Sequence, residues 1–292
     1  MTSCSPKISI LMATHNGEAF VEEAIKSVLR QSYENIDLLI ADDASSDETL
    51  EICKSLAIED DRIRLIERKE NFGSFSNFEF LVSNAHLESK YIKFLDQDDT
   101  LINSNFVEEA ISVLESGYDY ILSDVRIMDT KSSIKNSIMD PYIGCKTNYE
   151  FSLASLEESA MIFYATFKKS IFLENKYILF DLRPKHIINF FEGIFNHVVA
   201  SNCKGYFLST ISMGYRIHPN SVSSSALATD LVRDYHYYFS STLKTFFRIS
   251  TLPGLEKMFF LFSFILKKSR YLFFSLYLSL IKVKLNKRQP DA

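Results

Sequence analysis

The four cysteines of this 292-residue chain, Cys4, Cys53, Cys145 and Cys203, lie far apart and form no CxxC pair. A disulfide framework and a zinc site are therefore not expected, and a reducing compartment is the default. Glycine-rich phosphate loops are also missing: neither GxGxxG nor GxxxxGK followed by Ser or Thr occurs. A diphosphate bound here would have to be neutralised by something else, such as a divalent cation held by carboxylates. Residues 1–7 show no basic region leading into an apolar run, so no secretory signal is read there. The apolar runs near the C-terminus fall short of the roughly 20 residues needed to span a bilayer.

What is present is the raw material of a packed protein. Hydrophobic residues at 47% and charged residues at 24% argue against disorder. The length allows one large α/β domain, or a domain of about 200 residues with an appendage. A net charge of −5 argues against a nucleic-acid partner, but the charge is unevenly placed. Residues 229–292 hold 11 Lys/Arg against 4 Asp/Glu, and the remainder holds 21 against 33. An acidic body with a basic, aromatic tail suggests chemistry in the one and surface attachment through the other.

Residues 8–13 form a short apolar run that reads as a buried strand, broken by Thr14-His15-Asn16-Gly17. Phe20, Val21, Ala24, Ile25, Val28 and Leu29 follow at helical spacing, which predicts a helix from about Glu18. Residues 36–41 read as a second strand, ended by Asp42-Asp43. Ser45 or Ser46 is expected to cap the next helix, with Asp47 and Glu48 in its first turn. Strands are then expected over 63–67, 91–95 and 118–123, and helices over 75–85 and 107–114. This alternation predicts an α/β fold with a mostly parallel sheet covered on both faces. Such sheets bind ligands at the carboxyl ends of their strands. Thr14-His15-Asn16, Asp42-Asp43 and Asp96-Gln97-Asp98-Asp99 all fall there, which gathers at least four carboxylates around one crevice.

In extended chain, alternate side chains point the same way. Asp96 and Asp98 could then face one hard cation and leave positions open for phosphate oxygens. The competing reading is a solvated turn with a helix cap. Asp42-Asp43 has a similar pair of readings, a turn with an N-cap or a carboxylate that accepts hydrogen bonds from a base or ribose.

Five segments, in order, resemble the glycosyltransferase family 2 group with its nucleotide-binding GT-A fold. They are residues 8–18 (ISILMATHNGE), residues 27–33 (SVLRQSY), residues 41–49 (ADDASSDET), Asn71-Phe72-Gly73 with Asn77-Phe78-Glu79, and Phe94-Leu95-Asp96-Gln97-Asp98-Asp99. The last is a DxD signature in the DQDD form of rhamnosyltransferase-like members. The resemblance implies a GT-A fold with a C-terminal helical segment. It implies a catalytic domain over 1–225, with a nucleotide-sugar half at 1–125 and an acceptor half at 126–225; charge and aromatic content mark 226–292 as a basic aromatic tail. It also implies that Ala13, Thr14, His15, Asn16, Glu18, Asp43, Asn71, Asn77, Asp96, Gln97 and Arg216 bind the nucleotide sugar. Asp96, Asp98 and His218 would hold Mn2+ or Mg2+. His15 stands where tyrosine is more usual in the family, lying against the base.

The acceptor half matches through Tyr215-Arg216-Ile217-His218-Pro219-Asn220-Ser221-Val222-Ser223, similar to the family's YRxHxxSxS ending. Arg216 would contact the diphosphate. His218 would meet the diphosphate or the metal, or is simply a loop histidine before proline. Related enzymes carry a catalytic Asp about 23 residues before this tyrosine, where this chain has Glu192 at the start of a helical run. Glu192 is the candidate base, with Asp181 in reserve; the alternative for Glu192 is an exposed first-turn acid that favours the helix dipole. A GC-type motif expected near residue 160 is replaced by Glu157-Glu158-Ser159-Ala160.

In the tail, the apolar runs 258–266 and 271–281 flank Lys267-Lys268-Ser269-Arg270. Basic residues beside aromatics suit a helix lying on an anionic membrane surface; the alternative is helices packed on the catalytic domain or in a homodimer. The expected protein is thus an inverting transferase in cell-surface polysaccharide or lipopolysaccharide assembly. It would be cytoplasmic and peripheral on the cytoplasmic membrane face through residues 255–288, and would act on a saccharide acceptor, free or lipid-linked. Two rivals share the same residues. One is a haloacid-dehalogenase-like phosphatase using Asp96 and Asp98, although no later GDxxxD-like motif follows and three strands precede the acidic one. The other is a non-catalytic, membrane-associated saccharide-binding protein.

Overall fold

The structure is a computed structural model and describes residues 5–137, 164–175, 199 and 203–218. It opens with β1 (Lys7–Thr14), α1 (Val21–Leu29), β2 (Ile36–Asp42), α2 (Thr49–Glu59), β3 (Ile63–Glu67), α3 (Ser74–Asn84) and β4 (Ser89–Phe94). It continues with β5 (Thr100–Leu101), α4 (Phe106–Glu115), β6 (Tyr120–Met128), β7 (Ile134–Ser137), β8 (Thr166–Lys168), α5 (Lys169–Asn175) and β9 (Gly205–Arg216). The described strands form one sheet in the order β3-β2-β1-β4-β8-β6-β9-β5, with β7 paired to β6 at the side.

The long ladders, β1 with β2 and β4, β2 with β3, and β6 with β9, are parallel. Those of β8, β5 and β7 are short and antiparallel. Because β8 runs against both β4 and β6, the strands β1 to β4, β6 and β9 all point the same way. Their carboxyl ends share one edge, so Arg216 at the end of β9 lies on the same edge of the sheet as Thr14, Asp42 and Phe94 although it is far away in sequence.

The sequence pattern explains the layers. Every residue of β2 is buried, as a strand covered on both faces requires. α1 lays Val21, Ala24, Ile25 and Val28 on the sheet. Its solvent side carries a Lys26–Glu22 pair at 2.6 Å, worth a few tenths of a kcal/mol. α4 does the same with Phe106, Val107, Ala110, Ile111 and Leu114. Lys93 is the exception inside this core. It is fully buried on β4, donates to the Tyr164 carbonyl at 2.6 Å and lies 5.4 Å from the Phe106 ring centroid. Burial pushes its ammonium down to about 7, with Asp99 pulling the other way.

Three local expectations need correction. The helix after β1 begins at Val21 rather than Glu18, because the N–H groups of Phe20 and Val21 both turn back onto the Gly17 carbonyl. Ser45 and Ser46 do not cap α2. They turn toward the β1 side, and Asp47 takes the Thr49 N–H at 3.0 Å. β6 runs on to Met128 because its polar Ser123 finds the Ser212 hydroxyl at 2.6 Å, and Asp124 finds Arg126 at 2.6 Å. The expected C-terminal helical segment, residues 226–292, lies outside the described residues.

Candidate functional site

Two loops at the sheet edge are knitted together by side chains that substitute for backbone pairing. Gln97 clasps His15 with both ends of its amide, accepting from the His15 N–H and donating to the His15 carbonyl, each at 2.9 Å. Gly17 is required beside it, since a Cβ there would meet Gln97 Oε1 at 2.3 Å. Thr14 donates to Asp42 Oδ1 at 3.0 Å, and the fully buried Asp42 also takes the Ser45 N–H at 2.9 Å. Asn16 and Ala44 adopt left-handed backbone at φ 48° and 58°. Asn tolerates this conformation, and for Ala it costs roughly 1 kcal/mol. Glu18 accepts the Glu48 N–H at 3.0 Å and so closes the start of α2.

His15 Nε2 lies 2.9 Å from Asn71 Nδ2 and 3.3 Å from Asn16 Nδ2. Both amides are oriented by backbone donors, Gly73 N–H to Asn71 Oδ1 and Ser46 N–H to Asn16 Oδ1. Their NH2 groups must therefore face the imidazole, which assigns Nε2 as acceptor and puts the proton on Nδ1. Asp43, 2% exposed, accepts the Phe72 and Gly73 N–H groups at 3.1 and 2.8 Å and pairs with Arg68 at 3.3 Å. It thereby pulls the 71–73 segment over the end of β2. Asn77 sits behind this loop, donating to the Ala41 carbonyl at 2.7 Å and accepting from Arg68. At 1% exposed it supports the loop from inside rather than facing a ligand.

The acidic segment is a turn, closed by the Asp99 N–H on the Asp96 carbonyl at 3.1 Å. Asp96 and Asp98 are therefore not alternate residues of an extended strand facing one way, contrary to the expectation from their spacing. Asp98 Oδ2 instead meets His218 Nε2 at 2.9 Å, and the His218 ring packs against Phe20 at 5.1 Å. Asp99 was read only as part of the acidic cluster and as a cap, yet it is the buried member, 1% exposed. Its Oδ1 accepts the Arg216 N–H at 2.8 Å. Burial, reinforced by the charges of Asp96 and Asp98, raises its carboxyl well above the usual range, against the Arg216 hydrogen bond and charge.

Arg216 also departs from expectation. Its side chain is 0% exposed and its guanidinium is spent on the protein: the Asp98 and Asp129 carbonyls at 2.7 and 3.0 Å, Ser132 Oγ at 3.2 Å and Glu23 at 2.7 Å. It does not face the crevice to meet a diphosphate. The structure thus gathers Ala13, Thr14, His15, Asn16, Glu18, Asp43, Asn71, Gln97, Asp98 and His218 along one edge, with Asp96 at its turn. Glu192 and Asp181 lie outside the described residues. Among the described residues, no three His, Cys, Asp or Glu side chains are grouped to hold a metal ion.

A mostly parallel sheet with carboxylates and a histidine collected at its strand ends defines the GT-A class of nucleotide-sugar fold. The family model for glycosyl transferase family 2 matches residues 9–174, and the chain belongs to that family. A β-1,3-glucosyltransferase of Campylobacter jejuni, named for the substrate GalNAc(5)-diNAcBac-PP-undecaprenol, is 28% identical over 59% of this chain and 54% of its own length. The dTDP-rhamnosyl transferase RfbG of Shigella flexneri is 40% identical over 30% of this chain and 32% of its own. The chain therefore spans about half or less of these relatives. Among solved structures, TarS of S. aureus with UDP-GlcNAc superposes with a TM-score of 0.67 at 16% identity, covering 89% of this chain and 71% of that one. The mannosyltransferase PcManGT of Pyrobaculum calidifontis with GDP-Man and Mn2+ gives 0.60 at 12% identity, covering 99% and 77%. Both likenesses show the fold.

Proposed function

We propose that this protein is an inverting, metal-dependent glycosyltransferase that moves a sugar from a nucleotide diphosphate to a saccharide hydroxyl. The observation that carries this reading is the meeting of Asp98 and His218, 2.9 Å apart, from segments that follow β4 and β9. A carboxylate oxygen beside an imidazole nitrogen is a donor pair suited to Mn2+, with Mg2+ the harder alternative, and Asp96 on the same turn would have to swing inward to add a second carboxylate. Such a cation, when bound, neutralises charge developing on the departing diphosphate. The remaining work falls to the chain's own residues. The loop from Ala13 to Asn16, with Glu18, Asp43, Asn71 and Gln97, frames the nucleoside side, and its cross-links hold it in shape before the donor arrives. Glu192, with Asp181 in reserve, takes the proton of the acceptor hydroxyl as that oxygen attacks the anomeric carbon from the face opposite the diphosphate.

The relatives support a first choice of substrate. A dTDP-rhamnosyl transferase at 40% identity, together with the DQDD form of the turn, makes dTDP-rhamnose the first donor to test. A relative named for a diphospho-undecaprenol substrate favours a lipid-linked saccharide acceptor in cell-surface polysaccharide or lipopolysaccharide assembly. The basic tail at 255–288 then serves as a peripheral contact with the cytoplasmic membrane face, or as a homodimer contact. Among the described residues no helix is long and apolar enough to cross a membrane.

A panel of nucleotide diphosphate sugars, turned over with and without Mn2+, tests the reading. Glycosyl transfer that requires the ion is the expected result. Donor binding without turnover would favour the saccharide-binding reading, and phosphate release from a monoester the phosphatase. Glu192→Gln should keep donor affinity and lose turnover; wild-type rates would move the base role elsewhere.

A further inference from the structure

Arg216 is the largest fully buried side chain among the described residues, and it works in two directions. Toward the site, its Nε donates to the Asp98 carbonyl and its backbone N–H to Asp99 Oδ1. These bonds hold the Asp98 carbonyl and the Asp99 carboxylate. Toward the rest of the fold, its other nitrogens are held by the Asp129 carbonyl, Ser132 and Glu23. Among the described residues, Glu23 is the only carboxylate in ion-pair contact with it, at 2.7 Å. A buried cation without its counter-ion is strongly disfavoured, so this pair decides where the guanidinium rests.

Glu23 is itself positioned for the task. The Ser132 hydroxyl donates to its carboxylate at 2.8 and 3.0 Å. Phe20, three residues earlier and on the same face of the chain, lies 4.6 Å under the Arg216 guanidinium carbon and 5.1 Å from the His218 ring. The first turn of α1 thus supports both residues that touch Asp98. We propose that Glu23 is a positioning residue for the acidic turn, acting through the Arg216 guanidinium to fix the Asp98 carbonyl and so the carboxylate that grips the cation. This deepens the reading above and rests on it for the cation. Glu23 never touches donor or acceptor in this account. At 41% exposed it looks like an ordinary surface glutamate.

The test uses the full chain and Mn2+ alone as probe. Amide hydrogen exchange at residues 96–101 and 216 is followed in the wild type, Glu23→Ala and Glu23→Gln, and free Mn2+ is titrated by its paramagnetic resonance. Losing a charged hydrogen bond predicts about tenfold faster exchange at those amides in Glu23→Ala and about tenfold weaker Mn2+ half-saturation. Glu23→Gln keeps an acceptor oxygen but removes the counter-charge, and should recover only part of both. General destabilisation would instead quicken exchange across the whole sheet and would not be rescued by glutamine. Wild-type exchange at the turn in Glu23→Ala, in folded protein, overturns the positioning role. Should Glu23→Ala fail to fold, the same comparison on Glu23→Gln decides, through a smaller increase confined to these amides. Failure of the wild type itself to bind Mn2+ would count against the cation reading only, because the exchange measurement does not depend on it.

Discussion

Replacing Gly17 by alanine isolates one joint of the site. Gly17 is not in the left-handed region, so backbone freedom is not the reason for glycine there. The reason is space: the new Cβ would stand 2.3–2.9 Å from three atoms of the Gln97 amide, about 1 Å inside van der Waals contact. Those atoms are the far end of a flexible side chain, so the amide will swing away rather than distort the backbone. The cost is then the two 2.9 Å hydrogen bonds to His15. At about 1 kcal/mol each, Gly17→Ala should lose about 2 kcal/mol, roughly 4–6 °C in Tm for a chain of this size. Gln97→Ala should cost a similar amount. In the Gln97→Ala background the clash partner is gone, and Gly17→Ala should become neutral or slightly stabilising through the unfolded chain. A double-mutant cycle by denaturant unfolding reads this directly. If Gly17→Ala costs the same with and without Gln97, the clasp is not what glycine protects. Nucleotide affinity should fall alongside stability in both single variants, since the clasp shapes the His15 loop.

Two further predictions concern buried charge. Lys93→Met should be neutral or stabilising below neutral pH, because a methionine fills the site without burying an ammonium. The Lys93 ammonium lies below its unfolded value of 10.5 at about 7, so between those values the unfolded chain binds more protons. Wild-type stability should gain with rising pH across that window, and the advantage of Lys93→Met should shrink; a pH-independent difference in urea midpoints would contradict this. At Asp37, burial raises the carboxyl, but hydrogen bonds from Arg64 and Ser9 outweigh it and leave the group below its usual value. Its contribution is therefore complete above about pH 4 and lost as pH falls through the lower folded value. Asp37→Asn should remove that part of the acid sensitivity, and an unchanged acid limb in thermal melts would refute the assignment.

Much of the donor half was legible because its signals are local. The short apolar runs and the period-3.6 patterns of residues 8 to 114 placed β1 to β4 and their helices within a few residues, and the polar clusters at their ends followed from parallel topology. The errors came where a distant partner decides. Nothing around Asp99 announces that it will be buried under the Arg216 N–H, because that contact depends on β9 pairing with β6 and β5 across most of the chain. For Arg216 the resemblance to the family's YRxHxxSxS ending implies a diphosphate contact. Its fate was decided by Glu23 and Ser132, whose closeness no spacing reveals. The extra aspartate beside the DxD pattern was the one available hint that this turn carries a structural carboxylate as well.

Metal-dependent transfer requires a cation at the acidic turn. Mn2+ titrated into the protein with a nucleotide diphosphate present, for wild type and Asp98→Ala, measures it. Saturable, nucleotide-dependent binding that disappears in Asp98→Ala is the predicted result. Equal binding by both proteins, or none by either, contradicts it.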